Sequence, residues 1–167
     1  MAGFTITGGV SFSGAVSMSD APVQAGWFGG GRLASSATIS TVNRIIFATD
    51  TATASVRGPL SLDRYGLAAA GNTTDGWFAG GYPSVSTVDR ITYATDTATA
   101  SVRGPLSLAR YSLAAAGNST DGWFGGGNQP GVSTVDRITY ATDTATASVR
   151  GPLSASRYSL AAAGGIQ

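Results

Sequence analysis

Ser86-Thr87-Val88-Asp89-Arg90-Ile91-Thr92-Tyr93-Ala94-Thr95-Asp96-Thr97 opens a run that continues to Ser107 and recurs residue for residue from Ser133 to Ser154. A diverged copy begins at Ser40-Thr41-Val42-Asn43-Arg44-Ile45-Ile46-Phe47. Gly-Pro-Leu returns at Gly58, Gly104 and Gly151, and Trp-Phe at Trp27, Trp77 and Trp123. Spacings of 46 and 47 residues for Gly-Pro-Leu and of 50 and 46 for Trp-Phe, over three copies, mark a repeat architecture, in which each unit needs its neighbours to bury its apolar face. Almost all the length variation falls in one place, after the double glycine. That stretch reads Gly31–Ile39 in the first copy, Tyr82–Val85 in the second and Asn128–Val132 in the third. A constant frame with one variable loop places any specific recognition on that loop face.

Each unit divides into four short strands. Arg110-Tyr111-Ser112-Leu113-Ala114-Ala115-Ala116 is a run of small apolar residues closed by Gly117-Asn118. Thr120-Asp121-Gly122 is a turn signal leading into Trp123-Phe124-Gly125-Gly126-Gly127. Val135–Tyr140 alternates and ends at Asp143-Thr144. Ala145, Ala147 and Val149 then fall on one face of a fourth strand that Gly151-Pro152 stops. Four strands in such a period suit one blade of a β-propeller. The Leu-Ala-Ala-Ala strand, having the smallest side chains, is expected innermost, where the taper leaves least room.

These residues resemble the kelch family. Arg110, Asp121-Gly122, Trp123-Phe124-Gly125-Gly126 and Tyr140 fill the places of its blade pattern, as do Arg64, Asp75-Gly76, Trp77-Phe78-Ala79-Gly80 and Tyr93. Val56, Val102 and Val149 stand where that family's fourth strand usually carries Trp. The Ser-Thr-Val-Asp-Arg to Arg-Gly-Pro-Leu-Ser copies are also similar to kelch-like repeats of bacteriophage virion proteins, particularly of phages infecting cyanobacteria. The resemblance implies an all-β propeller and a place on the surface of a virion.

Composition narrows the chemistry. All 10 basic residues are Arg, all 9 acidic residues are Asp, and Lys, Glu, His and Cys are absent. Disulfides, zinc or haem ligation and His-based catalysis are thereby excluded. A formal charge of +1 with arginines spaced singly leaves no footprint for nucleic acid. No apolar run is long enough to span a membrane, and Met1-Ala2-Gly3-Phe4 lacks the charged start of a signal peptide. With 43% hydrophobic residues the chain can fill a core, and without strong surface helix formers it reads as all-β. No cofactor or metal is expected. Asp75 and Asp121 read as turn residues, because calcium needs several carboxylates in one loop. The Asp residues recur with the frame and single out no catalytic pair, so no enzymatic activity is expected.

The units are cut between their first and second strands. Trp27 opens a unit with no innermost strand, and Arg157–Ala163 is an innermost strand with no successor. Three blade equivalents fall short of the usual propeller, so strand exchange between copies is expected, a six-bladed dimer being favoured over a trimer. Residues 27–167 hold the three repeats. Residues 1–26 form a separate β arm and linker, in which Phe4, Ile6, Val10 and Phe12 alternate with Thr, Ser and Gly. The arm either packs on its own propeller or docks on another virion protein.

Among the repeated residues, Trp27, Trp77 and Trp123 read as packing between blades rather than as platforms for sugar rings. Arg44, Arg90 and Arg137 are expected to pair with their neighbours Asn43, Asp89 and Asp136. Arg64, Arg110 and Arg157 are expected near the channel mouth, paired with Asp50, Asp96 and Asp143 or with backbone carbonyls. The variable loops, with Arg32, Tyr82, Pro83, Asn128 and Gln129, are the candidate contact with host-surface glycan. The expected function is therefore a virion structural protein, a capsid decoration or tail appendage; the alternative is an adhesin module.

Overall fold

The computed structural model describes residues 24–128 and 130–164. Phe4, Ile6, Val10, Phe12 and Gln129 lie outside them. The described residues form three antiparallel sheets joined in series, with short 3-10 turns and no α-helix. The first sheet has strands β1 (Ala25–Arg32), β2 (Thr38–Ile46) and β3 (Ser55–Arg57). The second runs in the order β4 (Ala68–Gly71), β5 (Asp75–Ala79), β6 (Val88–Thr92) and β7 (Ser101–Arg103). The third repeats it as β8 (Ala114–Gly117), β9 (Asp121–Gly125), β10 (Val135–Thr139) and β11 (Ser148–Arg150).

Local chemistry explains the turns. Asn72 Oδ1 accepts from the backbone N–H groups of Thr74 and Asp75, at 2.9 Å each, closing the β4–β5 hairpin as an Asx turn. Asn118 does the same for Thr120 and Asp121 between β8 and β9. Thr92 and Thr139 hydroxyls donate to Asp75 and Asp121 across the β5–β6 and β9–β10 pairs. These two aspartates are therefore turn and cross-strand acceptors. Among the described residues, no group of three acidic side chains is arranged to hold a metal. No helix among them is long and apolar enough to cross a membrane.

The double glycine has a geometric cause. Gly80 and Gly81 take φ of 70° and 124°, in the left-handed region open to glycine. A Cβ on Gly80 would stand 2.6 Å from the Arg110 carbonyl oxygen, to which Gly81 N–H donates at 2.9 Å. The pair thus lets the segment before β8 lie on the end of β5.

The fourth strand is shorter than the sequence suggests. Only Ser148–Arg150 pairs, Ala145 lies in a turn, and Val149 is 59% exposed beside a buried Ala147. After the 3-10 turn Tyr140–Thr142, the Ala147 N–H donates to the Pro105 carbonyl at 2.9 Å and its methyl joins the core against the preceding sheet before pairing starts at Ser148. Val56 and Val102 are likewise exposed.

The core lies between sheets rather than within one. Val42 and Leu60 of the first repeat pack with Phe78, Ile91 and Ala100 of the second. Trp77, Ala79, Val88 and Leu106 pack with Phe124, Ile138, Tyr140 and Ala147 of the third. The alanine strands β4 and β8 lie against each other, and a Cβ on Gly122 would be 3.1 Å from the Ala70 methyl. Only small side chains fit where the sheets converge.

Candidate functional site

Two regions concentrate the specific chemistry: the joints between sheets and the loop face above them. Each joint is built around one aspartate at the end of the 3-10 turn. Asp96 Oδ2 accepts from Trp27 Nε1 at 2.9 Å and Arg44 at 3.1 Å, with Arg57 Nε at 3.5 Å. Asp143 Oδ2 accepts from Trp77 Nε1 at 2.9 Å and Arg90 at 3.1 Å, with Arg103 Nε at 3.4 Å. Each indole also stacks on the tyrosine three residues before that aspartate. The centroid distances are 3.8 Å for Trp27–Tyr93 and 3.9 Å for Trp77–Tyr140. Trp27 and Trp77 are thus packing residues with a polar anchor. Trp123, which has no following sheet among the described residues, is half-buried.

Burial under the indole pushes the Tyr140 phenol up to about 12, with the neighbouring Tyr93 and Asp121 adding to it. Tyr93 is raised for the same leading reason, with Asp75 contributing. A raised value favours the neutral phenol in the fold, while the unfolded chain ionises from about pH 10. Stability from Tyr140 is therefore complete below pH 10 and lost as the pH rises towards 12, and Tyr93 acts in the same direction. A thermal melt series should show a falling Tm across that window, and Tyr140→Phe should flatten it. An unchanged slope in the variant would place the loss on other groups.

A second charge set sits deeper. Arg64 pairs with Asp89 at 3.1 Å and donates to the Phe78 carbonyl at 3.1 Å. Arg110 pairs with Asp136 at 2.9 Å and donates to the Phe124 carbonyl at 3.0 Å. All four side chains are essentially inaccessible. Burial lowers the Arg64 guanidinium from its ordinary value, and Asp89 offsets part of that.

These partners correct the expected pairing. Asp89 and Arg90 are adjacent in a strand, so their side chains point to opposite faces and cannot meet. Arg90 reaches Asp143 and Asp75, Arg44 reaches Asp96, and Arg137 reaches Asp121. Asp89 and Asp136 instead serve Arg64 and Arg110. The carbonyl half of the expectation for these arginines holds, but the Asp96 and Asp143 half does not. Nor do Arg64 and Arg110 line a channel mouth, being 0% and 1% exposed; Arg157 is exposed.

On the loop face, the variable segments converge on tyrosines of the constant frame. The Arg32 guanidinium lies 5.5 Å over the Tyr65 ring. Tyr65 meets Tyr82 at 5.0 Å, and Tyr82 meets Tyr111 edge-on at 5.3 Å. Asn128 Nδ2 donates to the Tyr111 hydroxyl at 2.9 Å. The bridges Tyr65–Tyr82 and Tyr111–Asn128 tie each loop to the segment before the alanine strand of its own sheet. Arg32, Tyr82 and Asn128 thus form one continuous strip across three sheets, with Pro83 following Tyr82 through a cis bond. Tyr65 and Tyr111 were not legible as part of it. Their recurrence after Arg64 and Arg110, with Tyr158 after Arg157, was the available signal. Rings with exposed edges, hydroxyls, an amide and a guanidinium suit a polyhydroxylated or planar ligand. Comparison of the chain with protein-family models and with curated proteins returns no match.

Proposed function

We propose that this chain is a structural protein of a bacteriophage virion whose sheets are propeller blades, completed into a six-bladed ring by two copies exchanging an innermost strand. The observation that carries the reading is a complementary pair of unfilled positions. Among the described residues β1 is an edge strand, with Phe28 60% exposed where its repeat equivalents Phe78 and Phe124 are 4% and 0% exposed. The segment around Ala161–Gly164, equivalent to β8, has no strand partner among the described residues. A non-enzymatic role fits the use of Asp89, Asp96, Asp136 and Asp143 as joint acceptors. On this reading the protein is a capsid decoration or tail appendage, docked on another virion protein through residues 1–26.

Light scattering on the full chain should give the mass of a dimer, and a trimer would overturn the six-blade count. A chain starting at Val23 should keep that mass yet fail to bind particles stripped of the native protein. Retained particle binding would move the docking surface onto the sheets.

The strip of Arg32, Tyr65, Tyr82, Tyr111 and Asn128 favours a second reading, an adhesin module recognising host-surface glycan. Tyr82→Ala, at a residue 44% exposed, should then abolish glycan binding while leaving Tm within about 2 °C, as surface substitutions do. Unaltered binding would remove the strip from consideration.

A further inference from the structure

Resting on the ring reading above, we propose the residues of the closing contact: the third sheet of one copy meets the first sheet of a second copy by repeating the joint that links sheets within the chain. The joint occurs twice internally, with matching distances. Its leading half is Trp77, Arg90, Arg103, Gly104 and Pro105, and its receiving half is Tyr140, Asp143, Ala145 and Ala147. Gly104 N–H donates to the Asp143 carbonyl at 2.8 Å and Ala147 N–H to the Pro105 carbonyl at 2.9 Å. Gly58 and Pro59 meet Asp96 and Ala100 in the same way.

A third leading half and a third receiving half are present, and neither is engaged among the described residues. The leading half is Trp123, Arg137, Arg150, Gly151 and Pro152; the receiving half is Phe47, Asp50, Ala52 and Ala54. Asp50 is exposed where Asp96 and Asp143 are each 5% exposed. Phe47 is 55% exposed where Tyr140 is 7%. The glycines are the sharpest comparison. A Cβ on Gly58 or Gly104 would collide with the backbone of Ala98 or Ala145, whereas one on Gly151 meets nothing within 4 Å.

The strand that would close the sheet is already held in position. Ser159 has φ 54°, matching 55° at Ser112, and Gly127 N–H donates to the Arg157 carbonyl at 2.9 Å as Gly81 does to Arg110. Carrying the β8–β9 register across places Ala161 opposite Gly29, Ala162 opposite Phe28 and Ala163 opposite Trp27 of the second copy. That edge borders a groove of about 250 Å³ lined by Phe28, Gly29, Ala68 and Phe78.

The occupant is a second copy rather than the residues before Val23. At the spacing that puts Ala70 seven residues before Trp77, those residues offer Ser17-Met18-Ser19-Asp20 for Leu-Ala-Ala-Ala. That would bring Asp20 in opposite Trp27, a charge among converging strands without an arginine in the matching place.

The closing joint is also the weaker one. Arg157 reaches Asn43 where Arg64 and Arg110 reach Asp89 and Asp136. Only Oδ2 of those aspartates accepts hydrogen bonds, so Asn43 Oδ1 can accept the same ones without the charge. Copies should therefore part on dilution before the sheets unfold. The contact is head-to-tail, since the two halves are different surfaces.

The test is sedimentation equilibrium on the full chain, on Gly151→Val and on Asp50→Arg, with circular dichroism and a melt of each. Wild type should be a dimer that dissociates on dilution, both variants monomers with the wild-type spectrum, and an equimolar mixture of the variants should recover a heterodimer through its one intact joint. A wild-type dimer left unchanged by both substitutions would overturn the joint and spare the ring reading. A wild type that stays monomeric at every concentration would overturn both, and variants that lose association without recovering it on mixing would overturn the head-to-tail geometry.

Discussion

Asp143→Ala should lower the stability of the folded chain by about 3 kcal/mol, or roughly 10 °C in Tm for a chain of this size. Two hydrogen-bond donors, the Trp77 indole and Arg90, meet its carboxylate, and the Arg103 guanidinium pairs with it at 3.4 Å. Removing it leaves an indole N–H without an acceptor inside a stacked joint and two guanidiniums facing each other without a counter-charge. Arg90 keeps Asp75 at 3.6 Å and is partly solvated, which holds the loss near the lower end for a buried ion pair. The same substitution at Asp50, the repeat equivalent, should leave the Tm of the isolated chain within about 2 °C, because Asp50 is exposed. Thermal melts of the two variants at low concentration check the contrast. Equal losses would mean that Asp50 is already engaged within its own chain.

The repeat made most of the sheet order readable. Period, turn chemistry at Asn118 and Asn72, and the small side chains of Ala68–Ala70 and Ala114–Ala116 were enough to place four strands per unit and to put the alanines where sheets converge. Pairings across sheets were less accessible. Asp89 and Arg90 look like partners because they are neighbours in the chain, yet alternation in a strand sends them to different joints. The partners they do find, Arg64 and Asp143, are 25 and 53 residues away, a distance at which a repeat supplies several equivalent candidates. The loop strip was half legible. Its variable members stood out by varying, while Tyr65 and Tyr111 were hidden by recurring like any frame residue. Alternation puts Val149 on the face of Ala147, but the paired strand starts only at Ser148, and Ala147 before it is held by its N–H to the Pro105 carbonyl of the preceding sheet.

Arg110→Met should have the larger effect, about 3–5 kcal/mol, since it leaves the Asp136 carboxylate charged and inaccessible with Ser107 N–H as its remaining donor, and leaves the Phe124 carbonyl without the guanidinium. Chemical denaturation monitored by tryptophan fluorescence should show the loss as a shift in midpoint at unchanged slope. Replacing both members, Arg110→Met with Asp136→Leu, should recover part of it, because the stranded charge goes while the orphaned Ser107 N–H and Phe124 carbonyl still cost about 1–3 kcal/mol. Asp136→Asn is the informative middle case. It reproduces in the third sheet the side chain that Asn43 supplies in the first, keeping the acceptor for Ser107 and Arg110 and removing only the charge. Its loss should therefore be smaller than that of Arg110→Met, and its size measures how much weaker a joint closed on Asn43 is than one closed on an aspartate. A loss as large as that of Arg110→Met would mean that an amide cannot hold this arginine, and a ring closing through Arg157 and Asn43 would then need another partner for the guanidinium.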